Sequence, residues 1–196
     1  MKIVAVPHPV LRQVAQAVTV FDKKFFQFLS DLGETLIKQE NPRGVGLAAP
    51  QVGKSWRVFA AVLGETNQES KQPELEFFIN PKITQRSKEQ IMGAIDGSER
   101  FEGCLSIPRL YGPVPRSSWV EVAYQSISLK ELCQKHPLLT HKTARFTDFD
   151  ARVIQHEFDH LEGVLFTDYS RKLNLPLYVE EDGQWVEVDQ QLIGTF

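Results

Sequence analysis

The stretch Thr147 to Gly163 reads as one helix with its chemistry on a single face, and it constrains the fold more than any other part of the chain. Thr147 followed three residues later by Asp150 resembles a capping box, and Gly163 suits the C-terminal cap. Inside lies His156-Glu157-Phe158-Asp159-His160, an HExxH pattern. Its i, i+4 spacing sets both imidazoles where they can bind one ion, with Glu157 beside them to handle a proton of water. The plain alternative is a solvated helix face with unrelated histidines. Two histidines do not complete a catalytic metal site, which usually takes three protein ligands, so the rest of the chain has to bring a third.

Around this helix the pattern is mostly strand. From Asp22, a plausible N-cap, the apolar positions Phe25, Phe28, Leu29, Leu32 and Leu36 follow helical spacing until Asn41-Pro42. Strands are expected at Trp56 to Leu63, at Leu75 to Ile79 ended by Asn80-Pro81, from Lys82 onward, at Phe101 to Ile107 ended by Pro108, and around Trp119 to Tyr124. Ser87 to Glu99 reads as an insertion loop, and Ser126 to Phe146 gives only a weak signal. Tyr178 to Glu181 and Gln184 to Val188 flank Asp182-Gly183, a strong hairpin signal. Two marked helices without βαβ alternation indicate an α+β fold.

A length of 196 residues with 42% hydrophobic content suits a single domain, and a chain this long builds its core without a structural metal. A metal here needs another reason. The net charge of −3 and the lack of like-charge blocks argue against a nucleic-acid or anionic-membrane surface. The longest apolar run, Val58 to Leu63, is far short of the roughly 20 residues that span a bilayer. With no signal-peptide pattern and only Cys104 and Cys133, a cytoplasmic protein with reduced thiols is expected.

Candidates for the third ligand can be compared directly. In the extended pattern HExxHxxGxxH the glycine is matched by Gly163, but the last position is Phe166. Glu180 stands at the distance of a downstream glutamate ligand, as in an endopeptidase of the HExxH type, yet its surroundings read as a strand entering the hairpin. Cys104 lies in Glu102-Gly103-Cys104-Leu105-Ser106, where a strand end can aim a thiolate at a fixed point, although a buried cysteine is more often a small apolar residue.

Three motifs resolve the comparison. Gly44-Val45-Gly46-Leu47-Ala48-Ala49-Pro50-Gln51 matches GxGLAAxQ, Glu102 to Ser106 matches EGCLS, and Gln155 to His160 matches QHExDH. In that order and spacing, with His8-Pro9, Leu11-Arg12 and Val114-Pro115-Arg116, they make residues 1 to about 170 resemble the peptide deformylases, metal hydrolases that remove the N-formyl group from the initiator methionine of new proteins.

The resemblance implies antiparallel sheets packed around a central metal-binding helix, with a second, N-terminal helix; together with the hairpin read from the residues themselves, the chain is expected to be one catalytic domain over 1–196 with a C-terminal hairpin extension from about 174. It implies Cys104, His156 and His160 as ligands of one divalent ion, usually Fe(II), with zinc or nickel able to replace it. Glu157 is then general base and acid, and the Gln51 side chain with the Leu105 backbone N–H stabilises the oxyanion. Gly46 lets a peptide pair along the loop edge, and Val45, Phe149 and Val153 are candidates for the methionine pocket, although core packing explains the last two equally well. Arg116 and Asp159 are a candidate ion pair behind the helix. N-formyl-methionyl nascent peptides are the implied partners of a monomer. Many deformylases finish in a basic helix implicated in ribosome docking; here Asn174 to Phe196 reads as an acidic hairpin, which does not suit that contact.

Overall fold

The computed structural model describes residues 1–64, 74–93, 101–132, 134 and 137–188. Along the chain run α1 (Lys23–Ile37), β1 (Gly46–Ala48), β2 (Val58–Leu63), β3 (Glu74–Arg86), β4 (Gln90–Ile91), β5 (Glu102–Cys104), β6 (Ile107–Gly112), β7 (Arg116–Ser117), β8 (Trp119–Ser126), α2 (Leu129–Leu132), β9 (Thr140–Thr147), α3 (Asp148–Leu161), α4 (Phe166–Leu173), β10 (Leu177–Glu181) and β11 (Gln184–Val188). Short 3₁₀ turns precede α1 at Pro9–Arg12 and follow β1 at Ala49–Val52. The paired strands are antiparallel, in a five-stranded sheet of order β1-β2-β3-β8-β9, a four-stranded sheet β11-β10-β6-β5 and the small pair β4-β7.

Successive side chains of a strand point to opposite faces, and here both faces of the large sheet are covered. Val58, Ala60, Phe77 and Ile79 pack with Phe25, Phe28, Leu29, Leu32 and Leu36 of α1, while Phe59, Ala61, Phe78, Val120 and Val122 pack with Ala151, Val153, Ile154 and Leu161 of α3. On the α3 side, the rings of Phe59, Phe78 and Tyr124 stack in sequence at 4.5 and 4.3 Å. The Asp22 carboxylate accepts the Phe25 N–H at 2.9 Å, so α1 starts where its cap was expected.

Several local expectations change. Asn80-Pro81 does not end a strand; β3 runs through it, with the register irregular between Ile79 and Lys82. Asn80 takes φ +51°, and its amide both accepts from the Val18 N–H and donates to the Val18 carbonyl, each at 2.8 Å. The proline thus sits where the ladder is already broken. Pro108 likewise falls inside β6, in the stretch between the Cys104–Ile107 and Gly103–Tyr111 pairs, next to Arg109 at φ +65°. Thr147 and Asp150 form no capping box: Thr147 makes no side-chain cap bond, and the Asp150 carboxylate takes the Gly64 N–H at 3.2 Å. Thr147 is at once the last residue of β9 and the residue before α3, so strand passes into helix without a loop. The weakly patterned 126–146 segment holds α2 and most of β9. Of the expected insertion loop, Ser87 to Gly93 contributes β4, and 94–99 lies outside the described residues, as do Cys133 and Asp189.

At its far end α3 closes as expected at Gly163, which has φ +71°. The Val164 N–H reaches the Asp159 carbonyl at 2.9 Å and the Gly163 N–H reaches that of His160 at 3.4 Å, the Schellman arrangement. A Cβ at Gly163 would meet the Arg12 backbone at 2.8 Å, so both the turn and the close approach require glycine. The β10–β11 hairpin turns at Asp182 and Gly183, both with positive φ, as the sequence predicts.

Candidate metal centre and active site

Helix α3 lies against β1, β2, β7, β8 and β9, and it turns His156, Glu157 and His160 toward the end of β5. Gln155 fixes that placement: its Oε1 accepts the Ser117 N–H and its Nε2 donates to the Ser117 carbonyl, both at 3.0 Å, tying α3 to β7. At β5 the thiol of Cys104 stands 3.3 Å from His160 Nε2. The ligand atoms of Cys104, His156 and His160 lie within 4.8 Å of one another, and this is the metal-type cluster among the described residues. Glu180 sits on β10 in the hairpin and is not part of it.

Gln51, from the 3₁₀ turn after β1, is buried and oriented from both ends. Its Oε1 accepts the Ala48 N–H at 2.8 Å, which leaves Nε2 to donate to the Cys104 sulfur at 3.4 Å. Leu105 follows Cys104 directly in the turn into β6.

Behind the cluster lies a buried charge network that the sequence motifs contain without announcing. Glu102 accepts from Arg116 Nε and Nη2 and from Arg152 Nη1, each at 2.8 Å, and from His156 Nδ1 at 3.0 Å. Burial alone raises a carboxyl pKa, but the Arg116 guanidinium, helped by His156, more than reverses this and holds Glu102 well below the usual carboxylate range. Arg116 also pairs with Asp159 and lies 4.8 Å over the Tyr169 ring, so the expected Arg116–Asp159 pair is present as one arm of a larger network. Arg152 completes it, donating to the carbonyls of Val114, Ile91 and Gly93 and so pinning β4. Arg152, Gln155 and Tyr169 received no role from the sequence. Arg152 stands one helical turn before His156, and Glu102 two residues before Cys104, so each points the same way as its neighbour.

The imidazoles are driven in opposite directions. Burial lowers the His160 pKa well below its ordinary value. Burial also opposes protonation of His156, but its bonds to Cys104 and Glu102 outweigh it and raise that pKa. Glu157 is buried, its Oε2 has no hydrogen-bond partner, and burial is the main cause pushing its carboxyl up to about 7. A side chain at Gly46 would overlap that carboxylate.

A cavity of about 440 Å³ opens over these groups. Val45, Gly46, Gln51, Cys104, Leu105, Phe149, Val153, His156 and Glu157 all line it, so the expected pocket residues share one space with the expected chemical groups. Phe101, Arg109 and Tyr111 form part of its wall, which the sequence did not indicate.

The family model for polypeptide deformylases matches residues 1–175. A peptide deformylase of Desulfotalea psychrophila is 35% identical over 185 residues, covering 94% of this chain and 96% of its own, and peptide deformylase 2 of a Nostoc species is 38% identical over 187 residues, covering 94% and 93%. The crystal structure of the Thermotoga maritima peptide deformylase superposes with a TM-score of 0.65 at 34% identity, covering 86% of this chain and 95% of that one. The chain is a hydrolase. Within that class it belongs to the polypeptide deformylase family, metal-dependent enzymes that remove the N-formyl group from nascent peptides.

Proposed function

We propose that the cavity is the deformylation site and that Cys104, His156 and His160 hold the metal ion of this family. The observation that carries the reading is the convergence of one thiol and two imidazoles within 4.8 Å, buried, from a strand and a helix far apart in the sequence. That donor set fits the group: one thiolate with two imidazoles suits Fe(II) and zinc. We take Fe(II) as the native ion, with Zn(II) or Ni(II) as substitutes. When bound, the ion supplies the Lewis acidity that makes water acidic enough to ionise near neutral pH.

The chain's own residues do the rest. Glu157, with a free oxygen and a carboxyl poised near 7, takes the proton of the attacking water and returns it to the amine nitrogen as the formyl C–N bond breaks and formate leaves. The Gln51 Nε2, held in place by the Ala48 contact, and the Leu105 backbone N–H donate to the oxygen on which negative charge develops. β1 is an edge strand of its sheet, and Val45 and Gly46 offer that edge to the peptide backbone, while Val45, Phe149 and Val153 take the methionine side chain.

On this reading residues 1–196 are one catalytic domain with its HExxH helix between the sheets, α1 as the second, N-terminal helix, and a hairpin extension from about 174. It acts as a cytoplasmic monomer on N-formyl-methionyl nascent chains. The hairpin carries Glu180, Glu181, Asp182 and Glu187, so any ribosome contact uses another surface. No helix among the described residues is long and apolar enough to cross a membrane. The test is metal analysis with a formate-release assay on anaerobically purified protein: about one ion per chain and release from formyl-methionyl peptides are expected. Metal-replete protein that releases no formate would overturn the reading.

A further inference from the structure

The β5–β6 side of the cavity is walled by two rings, Phe101 and Tyr111, and both are held by the hairpin. Phe101 stacks on Tyr178 of β10, with centroids 4.5 Å apart and planes 11° from parallel. Trp185 of β11 meets both wall rings edge-on, Phe101 at 5.3 Å and Tyr111 at 5.1 Å. Tyr178 is also the cross-strand partner of Tyr111 in the β6–β10 pairing. Tyr111 in turn covers Gly103, where a Cβ would come within 2.6 Å of its ring, and Gly103 is the residue before Cys104. A chain of contacts thus runs from the indole to the cavity wall beside the cysteine.

The hairpin lies beyond residue 175, where the family match ends. A two-stranded hairpin is at best marginally stable alone, so these ring contacts and the β6 pairing hold it as much as it holds them. In the proposed arrangement the methionine pocket is formed by Val45, Phe149 and Val153. The Phe101–Tyr111 wall is then left for the peptide beyond that residue.

We infer that the β10–β11 hairpin is a working part of the peptide site, with Trp185 and Tyr178 as positioning residues that fix Phe101 and Tyr111 against the chain beyond the formylated methionine. This rests on the deformylase reading of the cavity. An aromatic pair favours its geometry by roughly 2- to 10-fold, and Trp185 makes two such pairs.

The experiment is steady-state formate release from formyl-Met-Ala-Ser by full-length, metal-loaded protein. Trp185→Ala is expected to raise KM by about 5- to 20-fold with kcat changed less than about threefold and bound metal unchanged, and Trp185→Phe to restore most of the KM. In a Phe101→Ala/Tyr111→Ala background, adding Trp185→Ala should change KM by less than about twofold, because the wall it positions is gone. If Trp185→Ala does not fold, Tyr178→Leu, which removes the stack on Phe101, should move KM in the same direction. An unchanged KM in the folded variant, or a fall in kcat accompanied by metal loss, overturns the hairpin's role. A wild-type protein inactive on every formyl-methionyl peptide would instead remove the reading on which the inference rests.

Discussion

Gly46 leaves the space that the Glu157 carboxylate occupies, since a single added methyl group would overlap it. The glycine of the first motif is therefore required by the acid of the third, quite apart from any contact with a peptide. Gly46→Ala should displace Glu157, and a misplacement of about 1 Å at a reacting group costs roughly 100-fold. The expected result is a fall of that order in kcat with metal retained. A change confined to KM would show that the glycine serves backbone pairing alone.

Glu157 has an unpartnered buried oxygen, so the fold gains little from its charge. Glu157→Gln should keep the metal and the melting temperature, or raise the latter, while turnover falls by about 100- to 10,000-fold. Loss of metal in a normally folded variant would make it a ligand instead. Gln51→Ala should lower turnover by about 100- to 1,000-fold and leave product binding nearly unchanged, because its donor is aimed at the charge that develops in the transition state. Isothermal titration with the deformylated product separates the two.

Glu102 anchors two arginines and a histidine, and removing its charge strands them in the interior. Glu102→Gln should cost about 3–5 kcal/mol at pH 7 by denaturant unfolding. Because the folded pKa lies well below the unfolded one, the ionised carboxylate's contribution is fully present above about pH 4.5 and is lost as pH falls from there through the folded value. The gap between variant and wild type should therefore narrow in acid. A gap independent of pH would place the effect in packing.

The metal prediction joins affinity to oxygen. Zinc binds such a donor set more tightly than Fe(II), so tight binding does not identify the working ion. Aerobic purification is expected to give weak activity with zinc bound or Cys104 oxidised, and anaerobic Fe(II) or Ni(II) reconstitution to raise formate release. Mass spectrometry of Cys104 alongside the assay distinguishes the two losses. An aerobic zinc form as fast as the Fe(II) form would reject iron as the native ion.

The sequence made α1, the C-terminal end of α3 and the C-terminal hairpin legible because each carries its signal within a few residues: a 3.6-residue period, a positive-φ glycine, an Asp-Gly turn. β9 left no such mark, since its side chains are mostly exposed and its pairing partner lies on β8, where no local pattern shows it. Prolines misled for a related reason. Pro81 and Pro108 end strands only if the ladder needs their missing N–H, and both fall at irregular points of register. The site residues were legible as motifs, whereas of the network behind them only the Arg116–Asp159 arm was. Arg116, Arg152 and Glu102 are charged residues far apart in sequence, and only their common burial shows that they neutralise one another.

The direct passage from β9 into α3 at Thr147 makes the helix a continuation of the sheet's register. Each helical residue turns the chain by about 100° and advances it about 1.5 Å, so one residue inserted between Thr147 and Asp148 would swing His156 and His160 a quarter turn or more away from Cys104. The connection between β8 and β9, where α2 lies among the described residues, comes before that strand, and a change in its length leaves the register from Thr147 to the histidines untouched. Tolerance to insertion is thus divided sharply at the start of β9: open in the connection before it, and measured out residue by residue from Thr140 to His160.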